Sequence, residues 1–218
     1  MKTNMGCGYL IGLLLLAINV PALAAQKNNQ TCGITPGKPI TNSYGPFDWT
    51  NPEHAPKFPI VINAHFTPQV ERLIEGSTGA LPHDIDYTLR AIPNHHRALN
   101  AMSRFEIQGK KTPGAFSRYY SADCFFKRAI YFQPADATSR MLYGIHKHQL
   151  KLFGDAEKLY LQALAMSPNN PEIHYNLGLL YVDTNAIDKA KKHAKVAYAG
   201  GYPLPGLNNK IARAEKAN

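Results

Sequence analysis

Histidine is the side chain in this sequence best suited to chemistry, and nine histidines occur among its 218 residues. The strongest local cluster is His95 and His96, at the expected start of a helix, with His83 and Asp84 about a dozen residues earlier. Imidazole nitrogens bind copper and zinc, so these histidines are candidate metal ligands. Successive residues on a helix point about 100° apart, however, so His95 and His96 do not easily face one metal. Histidines that hydrogen-bond within a packed junction are the alternative interpretation.

Catalysis has little support in the sequence. Three carboxylates, Glu71, Asp84 and Asp86, occur near the histidines along the chain, but no nucleophile elbow, phosphate-binding loop, HExxH zinc motif or hydrolase signature is present. The sequence therefore predicts a non-catalytic protein without a cofactor. A histidine-based copper or zinc protein, or a metalloenzyme, remains the alternative.

The first 24 residues have the three parts of a secretory signal. They are Lys2 near the start, an apolar run from Gly8 to Val20, and the small-x-small sequence Ala22-Leu23-Ala24. A membrane-spanning helix needs roughly 20 apolar residues, which is more than this run offers. The segment therefore predicts an exported chain that is periplasmic or extracellular, with a bacterial envelope location.

Cys32 and Cys124 are the two cysteines that remain after removal of this signal. An even pair in an exported protein favours a disulfide, although two buried free thiols are the alternative. Neither cysteine belongs to a CxxC or CxxCH motif, which disfavours a thioredoxin-type redox site, a cysteine zinc cluster and attached haem. We expect the disulfide to fasten an N-terminal segment to the rest of the fold.

Two elements that repeat with a period of 34 residues occupy the C-terminal half, and they align over residues 137–170 and 171–204 without a gap. Gly144 pairs with Gly178, and the other paired positions are Ala156 with Ala190 and Ala163 with Ala197. Apolar residues recur at helical spacing twice in each unit, so each unit is predicted to be a pair of amphipathic helices. Small residues at equivalent positions mark where the paired helices approach closely.

This pattern resembles the tetratricopeptide repeat (TPR), in which Leu-Gly, Tyr, Ala, an aromatic residue, Ala and Pro recur at fixed positions. The second unit carries Leu177, Gly178, Tyr181, Ala190 and Ala197, and the first carries Gly144, Ala156, Tyr160, Ala163 and Pro168. The first unit departs from the pattern at Arg140 and Lys147, where Trp and Tyr are usual. The resemblance implies an all-α helical solenoid of short length.

A degenerate unit precedes the two full repeats, because Ala122, Phe126, Ala129 and Pro134 fit the second half of the same pattern. Its first helix is expected after Asn94, which is predicted to be the N-cap, and Phe58–Phe66 is predicted to be extended. The predicted organisation is a signal peptide (1–24), an irregular N-terminal cap with short helices (25–92), a degenerate unit (93–136), two TPR units (137–170 and 171–204) and a C-terminal capping helix (205–218).

Several phrases outside the repeats, YGPFDW, AHFTPQVE, DIDYTLRAIPNHHRAL and GYPLPGLNNK, resemble those of a group of exported bacterial repeat proteins. This resemblance covers nearly the whole chain after the signal. It supports the fold and the compartment, and it implies no chemistry.

TPR arrays bind peptides or partner domains on a concave face lined by the first helix of each unit. Carried over position by position, the resemblance implies a groove formed by Met141, Ile145, His148, Gln149, Glu172, Tyr175, Asn176, Leu179 and Asp183. Some members use an Asn at the position of Asn176 to clamp a terminal carboxylate, but Met141 and Ile145 replace the accompanying Lys and Asn. The predicted partner is therefore a protein or peptide with apolar anchors.

The net charge of +9 is concentrated late in the chain, where residues 186–218 carry seven Lys and Arg against Asp188 and Glu215. Lys189, Lys192 and Lys195 fall three residues apart, on one helical face. This basic surface is either solvated or a contact for an anionic envelope surface. Aromatic and basic residues are not interleaved on this surface, so nucleic acid is not a predicted partner. With so few repeats, self-association through the terminal repeats would bury additional apolar surface.

Overall fold

A computed structural model describes residues 31–109 and 119–217, and the regular structure within these ranges is helical. The predicted signal peptide lies outside the described residues. Among the described residues, no helix is both long enough and apolar enough to cross a membrane. A short 3₁₀ helix, Pro52–Lys57, is followed by α1 (Phe58–His65), α2 (Pro68–Glu71), α3 (Leu81–Ala91), α4 (His96–Ile107), α5 (Ala122–Phe132), α6 (Ala137–Gln149), α7 (Phe153–Met166), α8 (Pro171–Asp183), α9 (Ile187–Ala199) and α10 (Gly206–Ala217).

The two full repeats are the helix pairs α6–α7 and α8–α9, and their internal turns have the same backbone conformation. Lys151 and Asn185, 34 residues apart, are left-handed, with φ of 60° and 58°. In each turn the next residue donates its N–H to the fifth carbonyl back, from Leu152 to Lys147 at 3.0 Å and from Ala186 to Tyr181 at 2.7 Å. The 34-residue period is thus present in the backbone as well as in the sequence.

Turns between successive units also repeat, and they do so three times. In each turn the N-cap of the following helix donates its N–H to the carbonyl three residues earlier, over Ile92–His95, Gln133–Asp136 and Ser167–Asn170, at 3.0, 3.2 and 3.1 Å. A proline stands second in each turn: Pro93, Pro134 and Pro168. Helix α3 therefore ends as the second helix of a TPR unit ends. The stacking of helix pairs begins with α1 and α3, one pair upstream of the degenerate unit formed by α4 and α5.

The segment 58–66 was predicted to be extended, but residues 58–65 form helix α1 and Phe66 is its C-cap, so that prediction is wrong. Pro59 occupies the first turn of the helix, where its missing N–H costs no hydrogen bond. The β-branched residues that follow favour strands in isolation, but Val61 is buried with Phe58 and Ile92 in a cluster against α3. Burial of this apolar face on a neighbouring helix outweighs the local preference.

Two glycines of the full repeats allow a neighbouring helix to approach closely, α7 at Gly144 and α10 at Gly178. A Cβ atom on Gly144 would lie 2.7 Å from the ring of Tyr160 in α7, and one on Gly178 would lie 2.5 Å from Leu207 in α10. Both partner side chains are fully buried. Close packing therefore excludes any larger residue from these two positions.

We expect Gly144→Ala to lower the free energy of unfolding by about 1 to 3 kcal/mol, because the rigid, buried Tyr160 ring cannot move away from the added methyl group. Gly154→Ala is the matched control, since a Cβ there meets nothing within 4 Å. It should leave stability unchanged or raise it by up to about 1 kcal/mol through helix propensity. Urea unfolding of both variants measures the difference, and equal stabilities would contradict the close approach at Gly144.

The segment from Thr31 to Asn51, here called the strap, lies along the helical array. The predicted disulfide between Cys32 and Cys124 is present and fastens the strap to α5. Further along, the Phe47 N–H donates to the carbonyl of Ala91 at 2.8 Å, and the carboxylate of Asp48 accepts from Asn94 at 2.7 Å. The strap is therefore an ordered part of the fold, connected to α3, to α5 and to a turn between units.

Candidate partner-binding groove

A cavity of about 520 Å³ lies between α6 and α8, on the face formed by the first helices of the two full repeats. Its walls combine apolar and polar side chains. Six of the nine predicted groove residues line it: Ile145, His148, Gln149, Asn176, Leu179 and Asp183. Lys151, Phe153 and Tyr160, which lie in or beyond the turn that follows α6, complete the lining. The structure thus brings most of the predicted site together.

The remaining predicted groove residues do not line this cavity. Met141 is 2% exposed and packs in the core of the repeats. Tyr175 is 8% exposed, because its ring packs on Tyr202 at 4.1 Å between centroids and the start of α10 closes over it. Glu172 is exposed on the first turn of α8, outside the cavity. The accessible groove is therefore shorter than the predicted set of residues, because the C-terminal cap occupies one end of it.

Asp183 links the groove to the capping helix. Its carboxylate accepts hydrogen bonds from Nε2 of His148 at 3.0 Å and from Nζ of Lys210 in α10 at 2.9 Å. Partial burial opposes ionisation, but these two hydrogen bonds outweigh it and lower the pKa of Asp183 below its usual value. The carboxylate therefore stays charged near neutral pH. It fixes the orientation of His148 and the position of α10 together.

Tyr160 lines the groove although it is not one of the predicted groove residues. The residue is fully buried, and its hydroxyl has no hydrogen-bond partner among the described residues. Burial raises the pKa of Tyr160, so the phenol is neutral and can donate. A buried hydroxyl without a hydrogen-bond partner costs free energy. The aromatic position of the TPR pattern was the available signal, but it marks packing and not polarity.

The candidate metal-binding histidines are used in other ways. Nδ1 of His95 accepts from the backbone N–H of Ala98 at 3.1 Å and caps α4, while Nε2 of His96 lies 2.9 Å from the Asp136 carboxylate. His83 is exposed. Within residues 31–109 and 119–217, no three His, Cys, Asp or Glu side chains are placed to hold a metal ion. The structure therefore offers no support for the alternative of a histidine-based metal site.

The carboxylate of Asp84 organises a loop. It accepts from the backbone N–H groups of Ser77 and Thr78 at 2.7 and 3.1 Å, and it lies 2.9 Å from Nδ1 of His65. Burial opposes its ionisation, yet these hydrogen bonds and one from the Thr78 hydroxyl lower the pKa of Asp84 to about 2. Such a carboxylate is too acidic to serve as a proton donor or acceptor near neutral pH.

The three lysines of the predicted basic surface are all exposed on α9. Lys189 lies 4.0 Å from the carboxylate of Glu157 and sits over the ring of Tyr181. Neither Lys192 nor Lys195 has an ion pair with another residue in the described part of the chain. The free positive charge on this face is thus provided by Lys192 and Lys195.

Comparison with protein families supports the interpretation of the repeats. Residues 148–185, which run from the end of α6 through α7 and α8, match the family model of the TPR repeat. A search of curated proteins gave no match. With the repeated turns and the pairwise packing of successive helices, the match defines the fold as a short TPR-type helical solenoid.

Proposed function

We propose that this protein is an exported, non-catalytic scaffold that binds a segment of a protein partner in the groove between α6 and α8. The observation that carries the proposal is the open cavity at the face where the first helices of the TPR units meet. TPR repeats generally mediate protein-protein interactions. The known use of the fold and the location of the cavity therefore agree.

The lining of the groove specifies the kind of segment it accommodates. Ile145, Phe153 and Leu179 are partly exposed and provide apolar contacts, whereas Lys151 and Gln149 are exposed polar groups at the edge. A segment with apolar anchors on one side and polar groups on the other fits this arrangement.

A clamp for a terminal carboxylate is not part of the proposal. The side-chain amide of Asn176 donates to the backbone carbonyl of Glu172 at 2.9 Å, so one of its two N–H donors is already committed within α8. The Lys and Asn that accompany such an Asn in carboxylate-binding repeats are replaced by Met141 and Ile145. An internal segment of the partner is therefore the proposed ligand.

Export and a role in the assembly of envelope or surface structures are proposals that rest on the sequence. The signal-like residues 1–24 and the persistence of a disulfide in oxidising compartments both support export. The exposed charges of Lys192 and Lys195 suit an anionic envelope surface as a secondary contact. Self-association through the terminal repeats is the competing explanation for a groove that binds protein.

We expect Leu179→Ala to reduce partner binding by about tenfold, because a buried apolar contact of this size contributes about 1 to 3 kcal/mol. A photo-crosslinking residue in place of Gln149 captures the partner from envelope extract, and mass spectrometry identifies it. Titration with the identified partner then measures the affinity of each variant. Leu161→Ala is the matched control, since Leu161 is an exposed leucine of α7 outside the cavity.

Equal capture and affinity in the Leu179 and Leu161 variants would overturn groove binding. Crosslinks solely between copies of the chain would assign the groove to self-association.

A further inference from the structure

A second cavity, of about 420 Å³, lies between the strap and helices α3 and α5, away from the groove. Its lining is basic: Lys38 comes from the strap, Arg90 from α3 and Arg128 from α5. Tyr120, which precedes α5, forms part of the wall. Three cationic side chains from three separate segments thus converge on one polar cavity.

Arg128 is the unusual member of this set, because its charge is buried and its electrostatic interaction with Asp86 is not a direct ion pair. The residue is 5% exposed, its Nη1 donates to the carbonyl of Cys32 at 3.1 Å, and its Nε has no hydrogen-bond partner among the described residues. No described carboxylate lies within ion-pair distance of it. The sequence outside the described ranges contains no Asp or Glu. A guanidinium remains charged in proteins, so this arrangement is costly unless an anion compensates for it.

Tyr120 holds the two arginines near each other. The guanidinium carbons of Arg90 and Arg128 lie 5.1 and 4.9 Å from the centroid of its ring. Asp86 neutralises part of this charge, because its Oδ2 accepts from Nε of Arg90 at 2.7 Å. Among the residues that the structure describes, three cations against one carboxylate leave two positive charges at the cavity.

The wall of the cavity formed by the strap is held in place before any ligand binds. Cys32 and Gly33 both have positive φ, and a Cβ on Gly33 would lie 2.1 Å from the Tyr120 hydroxyl, so the turn can approach the ring closely. The hydroxyl of Tyr131 lies 3.0 Å from the carbonyl oxygen of Thr35 and 2.8 Å from that of Lys38. Together with the disulfide, these contacts preorganise the cavity for binding.

We propose that this cavity binds a phosphate group, as a phosphate monoester or inorganic phosphate, through Arg90, Arg128 and Lys38. A phosphate carries close to two negative charges at neutral pH and accepts several charge-assisted hydrogen bonds, which matches the net charge and the number of donors. A single carboxylate would leave one positive charge uncompensated. The volume leaves room for the organic part of a phosphorylated small molecule or headgroup.

Calorimetric titration of the oxidised protein with inorganic phosphate at low ionic strength tests this site. We expect one saturable site that Arg128→Gln weakens by at least about tenfold, since a hydrogen bond to a charged group is lost. Lys38→Ala, a change at an exposed position, should weaken it by about three- to tenfold without affecting the fold. Arg140→Gln is the matched control, because Arg140 is also buried but lies on α6, outside the cavity.

Absence of saturable phosphate binding in the wild type, or equal weakening in the Arg140 variant, would overturn the proposal. If the Arg128→Gln variant fails to fold, the Lys38→Ala variant tests the site by itself. An unchanged affinity for phosphate in that variant would overturn the proposal. Acetate binding as strongly as phosphate would also overturn the assignment to phosphate. Competition by vesicles of phosphatidylcholine with phosphatidic acid would identify a lipid headgroup as the source. Binding of glycerol phosphate without vesicle competition would identify a soluble phosphate compound.

Discussion

Replacement of Cys32 and Cys124 by alanine should lower the free energy of unfolding by about 4 to 5 kcal/mol. The two cysteines are 92 residues apart, so the disulfide closes a long loop in the unfolded chain and restricts its conformational entropy. Both residues are buried, and the bridge fastens the strap to α5. For a domain of this size, such a loss is a large fraction of the total stability.

Urea unfolding followed by fluorescence measures this effect, because the single tryptophan, Trp49, lies in the strap and packs on His95 with 4.1 Å between ring centroids. Reduction of the wild type should give the same loss as the double variant, and it is the control for cavities left by the alanines. The denaturant dependence should steepen, since the unfolded chain without the bridge exposes more surface. A double variant within about 1 kcal/mol of the oxidised wild type would show that the strap contributes little to the folding unit.

Acidification from pH 7 to pH 5 should lower the free energy of unfolding by about 3 to 4 kcal/mol. His95 and His146 are 1% and 0% exposed, and burial lowers the pKa of His95 to about 3 and that of His146 to about 4. Both imidazoles are therefore neutral in the folded state, while in the unfolded state they take up protons below about pH 6.5. Their stabilising contribution is complete above pH 6.5 and is lost as the pH falls, because the unfolded state then binds more protons.

Carboxylates act in a different pH window. The pKa of Asp84 is about 2, so the stability that its ionised form contributes is lost only as the pH falls below the ordinary carboxyl pKa of about 4. Burial raises the pKa of Asp86, which has the opposite sign: the folded state binds this proton more tightly, and part of the loss is offset at the acid end of the range. Between pH 7 and 5 His95 and His146 contribute most, and His193, whose pKa burial also lowers, acts in the same direction.

His95→Asn is the variant that isolates one of these protons. Asp136 and Asn170 cap α6 and α8 at the positions equivalent to His95, so asparagine preserves the cap of α4 and removes the titrating ring. Urea unfolding at intervals of pH should show the slope near pH 5.5 falling from about 2.4 to about 1.2 kcal/mol per pH unit. An unchanged slope in this variant would mean that His95 is not neutral in the folded protein.

The repeat architecture was predictable because its determinants are local in sequence. The 34-residue period, the small residues at Gly144 and Gly178, and the prolines in the turns between units all depend on neighbours within one or two helices. These features recur at fixed spacing, and a period is visible without knowledge of distant contacts. The disulfide joins residues 92 apart, and it was predictable for a different reason, since an even pair of cysteines follows the predicted signal.

Other features depend on residues far apart in the chain. Phe58–His65 is helical because α3 covers its apolar face, and His95 caps α4 because the predicted cap, Asn94, is fully buried and bonds Asp48 of the strap. Tyr175 was predicted to line the groove, but it does not, because α10 covers its side chain. The periodicity of the sequence does not reveal such contacts between distant residues.

The sequence by itself thus determined the repeat and the turns between its units, since these are set by helical spacing and turn chemistry, and the even number of cysteines indicated the disulfide. Only the tertiary structure decided which part of the groove is open and that Lys38, Arg90 and Arg128 share one cavity. Burial and charge compensation are properties of surfaces that come together on folding. Lys38 and Arg90 are 52 positions apart in the chain, and Arg90 and Arg128 are 38 positions apart. The path of the strap across the helices brings these residues to one cavity.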